Sequence, residues 1–320
     1  MAVNRDKPNR WNADVAQSVN LYNNWFMTFA PQAFHDTRVQ ITEVVAAALQ
    51  TTDNLQNLQP QILQQNPQIL ATLRMCTCPP LARDRLIGLA AVSKSLVERL
   101  EKGRLPTRLN AEQLSEELGK ITTLISRLVD RDIFTWLATD QSPTEAERYR
   151  AATIIADRLC GASTDPIVRN AQEMRQLQEI AVWLNAHHYR ELPAGQRVRF
   201  TEMPPGTYSF RLNVPVNLTM EGEKTINIPI DAVIMRQTAQ PGDFPVLVEA
   251  KSAGDFTNVN KRKKEEAQKM RQLRATYGEQ IEFVLFLCGY FDSSYLGYEA
   301  AEGIDWVWEH RIDDFTDLGL

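Results

Sequence analysis

The sequence predicts an α/β (α+β) protein in which an all-helical N-terminal region precedes a mixed β-sheet flanked by helices. Three observations predict it. Up to about Thr164 the chain is rich in Ala, Leu, Gln, Glu and Arg, with apolar residues at helical spacing. Beyond that point β-type runs alternate with helical ones. The nearly unbroken apolar run IEFVLFLCGYF suits a central strand covered on both faces.

The elements follow in order. WNADVAQSVNLYNNWFMTFAP and TRVQITEVVAAALQTTDNL open the chain as helices. NLQNLQPQILQQNPQIL is Gln/Asn-rich and broken by Pro60 and Pro67; its regular Leu and Ile predict short helices or loops. LARDRLIGLAAVSKSLVERLEKG stops at Gly103, with Pro106 just beyond. NAEQLSEELGKITTLISRLVDRDIFTWLAT and SPTEAERYRAATIIADRLCGAS complete the helical half. One long helix, RNAQEMRQLQEIAVWLNAHHY, then leads into the strand candidates QRVRFTEM, TYSFRLNVPVNL, KTINIPIDAVIM and FPVLVEAK. KRKKEEAQKMRQLRATYG is a charged helix before the apolar strand. The expected domains are 1–164, a helical region, and 165–320, which carries the sheet.

With 320 residues, 43% hydrophobic and 23% charged, the composition is that of a globular protein. A net charge of -5 argues against a generally adhesive nucleic-acid binder, yet leaves room for a local basic groove. Cys76, Cys78, Cys160 and Cys288 make no disulfide framework, so free thiols in a reducing cytosol are expected. No apolar signal core or membrane-length run is present, which predicts a cytoplasmic protein without a membrane partner. The absence of a Walker loop, G-x-G-x-x-G or G-x-S-x-G argues against nucleotide hydrolysis, dinucleotide binding and acyl transfer. His187 and His188, at a helix end without Cys/His partners, read as solvated.

The chemistry concentrates in NIPIDAVIMRQTAQPGDFPVLVEAK. Asp231 ends one apolar run, and Glu249, Ala250 and Lys251 end the next. Antiparallel pairing would bring the acids together, and alternation puts Glu249 and Lys251 on one face with Ala250 turned away. Adjacent carboxylates repel unless a cation lies between them, and hard oxygen ligands suit Mg2+. The bland alternative is a surface hairpin with a Glu–Lys pair. The spacing resembles the PD-(D/E)XK nuclease superfamily, which often adds an acid from the preceding helix. Here that acid is Glu173, in line with Leu177, Ile180 and Leu184; pairing with Arg169 is an equal alternative. The Pro usual before the Asp is replaced by Ile230, with Pro229 one place earlier.

Seven basic residues between Lys261 and Arg274 face two acids, and Lys261, Arg262, Lys263 and Lys264 are the expected phosphate contacts. Asn258 and Asn260, just before them, are candidate base readers. RDRLIGLAAVSKSLVERLEKGRLP resembles a helix-turn-helix with Lys94 and Arg99 on its second helix, although core packing explains the same pattern.

Longer blocks, including WNADVAQSVNLYNNWF, CPPLARDRLIGLAAVSKSLV, DPIVRNAQEMRQLQEIAVWL, FTEMPPGTYSFRLNVPVNL, VEAKSAGDFTNVNKRKKEEAQK and GIDWVWEHRIDDF, resemble the XamI family of type II restriction endonucleases over nearly the whole chain. The resemblance implies Mg2+-dependent cleavage of both strands of unmethylated double-stranded DNA, leaving 5′-phosphates. It implies a homodimer on a palindrome, with GTCGAC as the family's associated site, and a cognate DNA methyltransferase. It casts Asp231, Glu249 and the Ala250 carbonyl as metal ligands, Lys251 as a catalytic residue, and Glu173 as an auxiliary acid. Two rivals remain at this level: a structure-specific repair or recombination nuclease of the same fold, and a non-enzymatic helix-turn-helix regulator.

Overall fold

A computed structural model describes residues 2–139, 141–192, 198–217, 225–257 and 259–320, with the backbone alone at 162–164 and 259–262. The chain divides into two compact units, one of Met1–Phe29 with Val168–Leu320 and one of Ala30–Ile167. The sequence places a single boundary at 164–165. The division instead assigns the first 29 residues to the sheet-bearing unit.

The helical unit contains the second half of α1 (Pro8–Thr51), then α2 (Pro60–Gln65), α3 (Leu70–Met75), α4 (Arg83–Ala90), α5 (Lys94–Glu101), α6 (Ala111–Leu128) and the first half of α7 (Glu145–Ala186). The Gln/Asn-rich stretch forms short helical pieces, as its Leu and Ile spacing predicts. Asn110 and Gln113 close a reciprocal capping box that starts α6. Leu73, Leu86, Val97, Leu100, Leu118, Ile121, Ile125 and Phe134 fill a single apolar core. Two expected breaks are absent. The opening pair of helices is one 44-residue helix through Pro31, and the pair around 164 is one 42-residue helix through Pro166. Proline removes one helical hydrogen bond, and the remaining ladder with its packing carries the helix across the loss. The two units part close to these prolines.

In the other unit, β1 (Arg190–Glu191), β2 (Thr207–Asn217), β3 (Thr225–Met235), β4 (Val246–Ala253), β5 (Glu282–Gly289) and β6 (Asp305–Trp308) form, among the described residues, a sheet in chain order. Strands β2, β3 and β4 are antiparallel neighbours, whereas β4, β5 and β6 are parallel. The parallel steps need crossovers, supplied by α8 (Val259–Tyr277) and α9 (Ser293–Ala301). QRVRFTEM, expected as a strand, is a 3-10 turn at Phe200–Glu202, with Gln196 and Arg197 outside the described residues.

Alternation sorts the sheet residues onto two faces. Phe283, Leu285 and Leu287 join Met270, Leu273 and Leu296 from the crossover helices. Val284 and Phe286 join Leu177, Ile180 and Leu184 of α7. A strand covered on both sides must be apolar throughout, which is why β5 shows no polar alternation.

Candidate active site

Asp231 lies within β3 rather than at its end, and Lys251 likewise lies inside β4. What singles them out is lapsed pairing. The β3–β4 ladder runs from Ile234–Val246 to Ala232–Val248 and stops one residue short of Asp231 and Glu249. On the other side, β2 pairs Phe210 with Ala232 and Leu212 with Ile230, skipping Arg211 and Asp231. Arg211 has φ +53°, a left-handed conformation that interrupts a strand. The side chain of Asp231 takes over where the backbone ladder lapses: its Oδ2 accepts a hydrogen bond from Ala250 N at 2.9 Å.

Glu249 is 5% exposed. Its Oε1 accepts from Lys251 Nζ at 2.9 Å and Lys269 Nζ at 2.5 Å. Its Oε2 is buried and has no hydrogen-bond partner among the described residues. Lys251 Nζ also stands 3.4 Å from Oε1 of the buried Glu266. Gln176 of α7 donates to the carbonyls of Lys251 and Phe286, at 3.3 and 3.2 Å, and fixes the backbone there.

The electrostatics follow from this crowding. Burial, with the adjacent Glu249 charge, pushes Asp231 up to about 6, against the Ala250 hydrogen bond and Lys251. Burial alone would lower Lys251, but Glu249, Glu266 and Asp231 outweigh it and raise its pKa. Lys251 is thus held as an ammonium ion.

Asp231, Glu249, Ala250 and Lys251 share a cleft of about 300 Å³ with Arg169, Gln172, Glu173, Gln176, Ser252 and Glu265. Glu173 lines the cleft but is half-exposed, and it pairs with Arg211 at 2.7 Å rather than with Arg169. The basic helix α8 is less free than its composition implies. Lys269 turns inward to Glu249, Arg274 donates to the Glu302 and Gly303 carbonyls, and Lys263 bonds Ser294 at 3.0 Å. Lys264 is exposed. Asn258 and the side chains of Asn260, Lys261 and Arg262 lie outside the described residues. Lys94 and Arg99 belong to the helical unit and are exposed there.

Sequence reasoning missed Lys269, Glu266 and Gln176. One signal existed: Glu266 falls beside Ala267, Met270 and Leu273 on the apolar stripe of α8, where a carboxylate needs a partner.

Among the described residues no cluster of three or more His, Cys, Asp or Glu side chains is placed to hold a metal ion. The two carboxylates and the Ala250 carbonyl still suit a hard cation that keeps part of its water shell. The partnerless Glu249 Oε2 and the crowded Asp231 are the atoms such a cation would satisfy.

An α/β core with an acid pair and a lysine gathered in one cleft suits a nuclease, and comparison with known proteins establishes the kind. The XamI restriction endonuclease family model matches residues 53–308. Type II restriction enzyme SalI of Streptomyces albus G is 51% identical over 317 residues, which span 99% of this chain and 99% of that protein. The molecule is a type II restriction endonuclease, a site-specific nuclease with DNA as its partner. The chain belongs to the XamI restriction endonuclease family. Enzymes of this type generally need a divalent metal. Among solved structures, protein VC1899 from Vibrio cholerae aligns over 82% of this chain and 55% of that chain, with 13% identity and a TM-score of 0.30. A likeness at that level carries no argument. Among the described residues no helix is long and apolar enough to cross a membrane.

Proposed function

We propose that this enzyme hydrolyses both strands of unmethylated double-stranded DNA at a short palindrome, with magnesium as cofactor, leaving 5′-phosphate and 3′-hydroxyl ends. The observation that carries the reading is the cleft itself, where Asp231, Glu249, Ala250 and Lys251 meet at the opening between β3 and β4. Asp231, Glu249 Oε2 and the Ala250 carbonyl would hold the metal. When bound, magnesium neutralises the paired carboxylates, polarises the scissile phosphate and lowers the pKa of water. Lys251, kept protonated by its acidic neighbours, orients the attacking water and stabilises charge developing on the phosphate. Lys269 shares Glu249 Oε1 with Lys251, which would leave Oε2 available to a metal ion. Glu173, which lines the cleft, pairs with Arg211, and that pair would position the DNA backbone. Lys264, with Lys261 and Arg262, supplies phosphate contacts.

A homodimer fits a palindromic site, since two-fold protein symmetry matches two-fold DNA symmetry. A cognate methyltransferase would protect the same sequence in the host. The test is digestion of unmethylated phage DNA with and without magnesium, using wild type and Lys251→Ala. Discrete fragments, including cuts at GTCGAC, from wild type with magnesium and intact DNA from the variant are expected. Discrete fragments from Lys251→Ala would remove Lys251 from the mechanism, and cutting only at branched or damaged DNA would favour a repair nuclease.

A further inference from the structure

The helical unit contains a second feature, far in sequence from the cleft and independent of the hydrolytic mechanism. Helices α4 and α5 are eight residues each, joined by Ala91, Val92 and Ser93. Ala91 takes the left-handed conformation, φ 51° and ψ 42°, and turns the chain sharply out of α4. Val92 N then donates back to Ile87 O, and its side chain is buried. Ser93 starts α5, its hydroxyl accepting from Leu96 N at 3.2 Å. Leu86, Ala90, Val92, Leu96, Val97 and Leu100 all face inward and lock the two helices onto the core. Two short helices, a three-residue turn with an αL residue, and burial of the residues around the turn are the anatomy of a helix-turn-helix.

The burial pattern fixes which face of α5 is outward. Lys94, Ser95 and Arg99 are exposed there, with Lys102 and Arg104 continuing the same basic stretch. Between residues 83 and 108 there are seven Lys/Arg against three Asp/Glu, in a chain whose net charge is -5. One of those acids, Glu101, is consumed internally by Arg74 and Arg83, at 2.6 and 2.5 Å. Lys94 is only loosely paired with Glu98, at 3.8 Å, and among the described residues Arg99, Lys102 and Arg104 have no ion-pair partner. A basic helix face whose cations have only Glu98 as an ion-pair partner among the described residues complements a polyanion. A helix presented by this turn has the width of the major groove of duplex DNA.

We propose that α4–α5 is a helix-turn-helix that docks α5 in the major groove of double-stranded DNA, with Lys94 and Arg99 as its contacting side chains. The test measures fluorescence anisotropy of the full-length protein on a short random-sequence duplex in EDTA, over a range of salt. Without divalent metal the readout is binding alone, so it stands or falls separately from the cleavage chemistry. Lys94→Ala/Arg99→Ala is expected to weaken binding at least about tenfold and to reduce the log–log salt slope by roughly one to two. Glu98→Gln, which removes the acid from the same face, is expected to tighten binding several-fold, a gain that misfolding cannot produce. Unchanged affinity and slope in the double variant, or an equal loss on single-stranded DNA, would overturn the proposal.

Discussion

Glu249 uses its two oxygens differently, and the proposed metal site rests on that division. Oε1 is held by two ammonium groups, while Oε2 is buried and unpaired among the described residues. Removing Lys251 takes away one of those groups and, in the proposed mechanism, the charge beside the phosphate. Lys251→Ala is expected to lower the cleavage rate about a thousandfold or more, read in single-turnover digestion. Asp231 gives a prediction with a definite sign. Its pKa is raised from 3.8 to about 6, so the folded state prefers the protonated form. Its contribution to stability is present below pH 3.8 and is lost as pH rises through about 6. In metal-free protein, Asp231→Asn should therefore melt higher than wild type at pH 8, by on the order of 1–2 kcal/mol after allowing for partial exposure, with little difference at pH 4. Thermal melts in EDTA at the two pH values check this, and a variant less stable at pH 8 would contradict it.

At the scale of elements, α8 and α9 are drawn together over buried acids. Glu299 is fully buried, and burial with the nearby Glu266 charge pushes it up to about 8. The α8–α9 layer therefore loses stability as pH rises from 4.5 toward about 8, where the loss levels off. Glu299→Gln should flatten that decline in pH-dependent denaturation curves. The N-terminal arm is held by the opposite arrangement, a carboxylate surrounded by donors. Asp305 accepts from Val3 N, Asn4 N and Arg5 N at 2.6, 2.9 and 3.1 Å, and from Trp306 N at 2.9 Å. Asp305→Ala should cost roughly 2–4 kcal/mol and speed amide exchange at residues 3–5. Neither the arm's anchor nor β6 was read from the sequence, because DWVW is too short to show a period. The central strands were legible, since alternation and apolar runs are local. Their ends were not: Asp231 and Lys251 look terminal because polarity breaks the apolar run, yet both strands continue past them.

For the whole molecule, the division into units bears on how the chain folds. Ser18 Oγ accepts from Gly289 N at 2.8 Å, and Gln172 donates to the Tyr22 hydroxyl at 2.7 Å. Residues 1–29 therefore complete the layer next to the cleft. A fragment of residues 165–320 should melt without cooperativity, and adding 1–29 through a flexible linker should restore a cooperative transition in circular dichroism. A cooperative melt of 165–320 alone would show that the N-terminal segment is dispensable.

The sequence by itself determined the α/β class and the helical half, and it picked out Asp231, Glu249 and Lys251 as the candidate acid–acid–lysine set, because period and alternation are properties of adjacent residues. Its longer blocks also carried the family. Only the tertiary structure decided that Lys269 shares Glu249 with Lys251, that Glu173 pairs with Arg211, and that much of the basic helix is spent on internal contacts. Each depends on which face of a helix docks and how far a side chain reaches across to another element. Those outcomes come from packing between segments distant in the chain, and no local pattern encodes them.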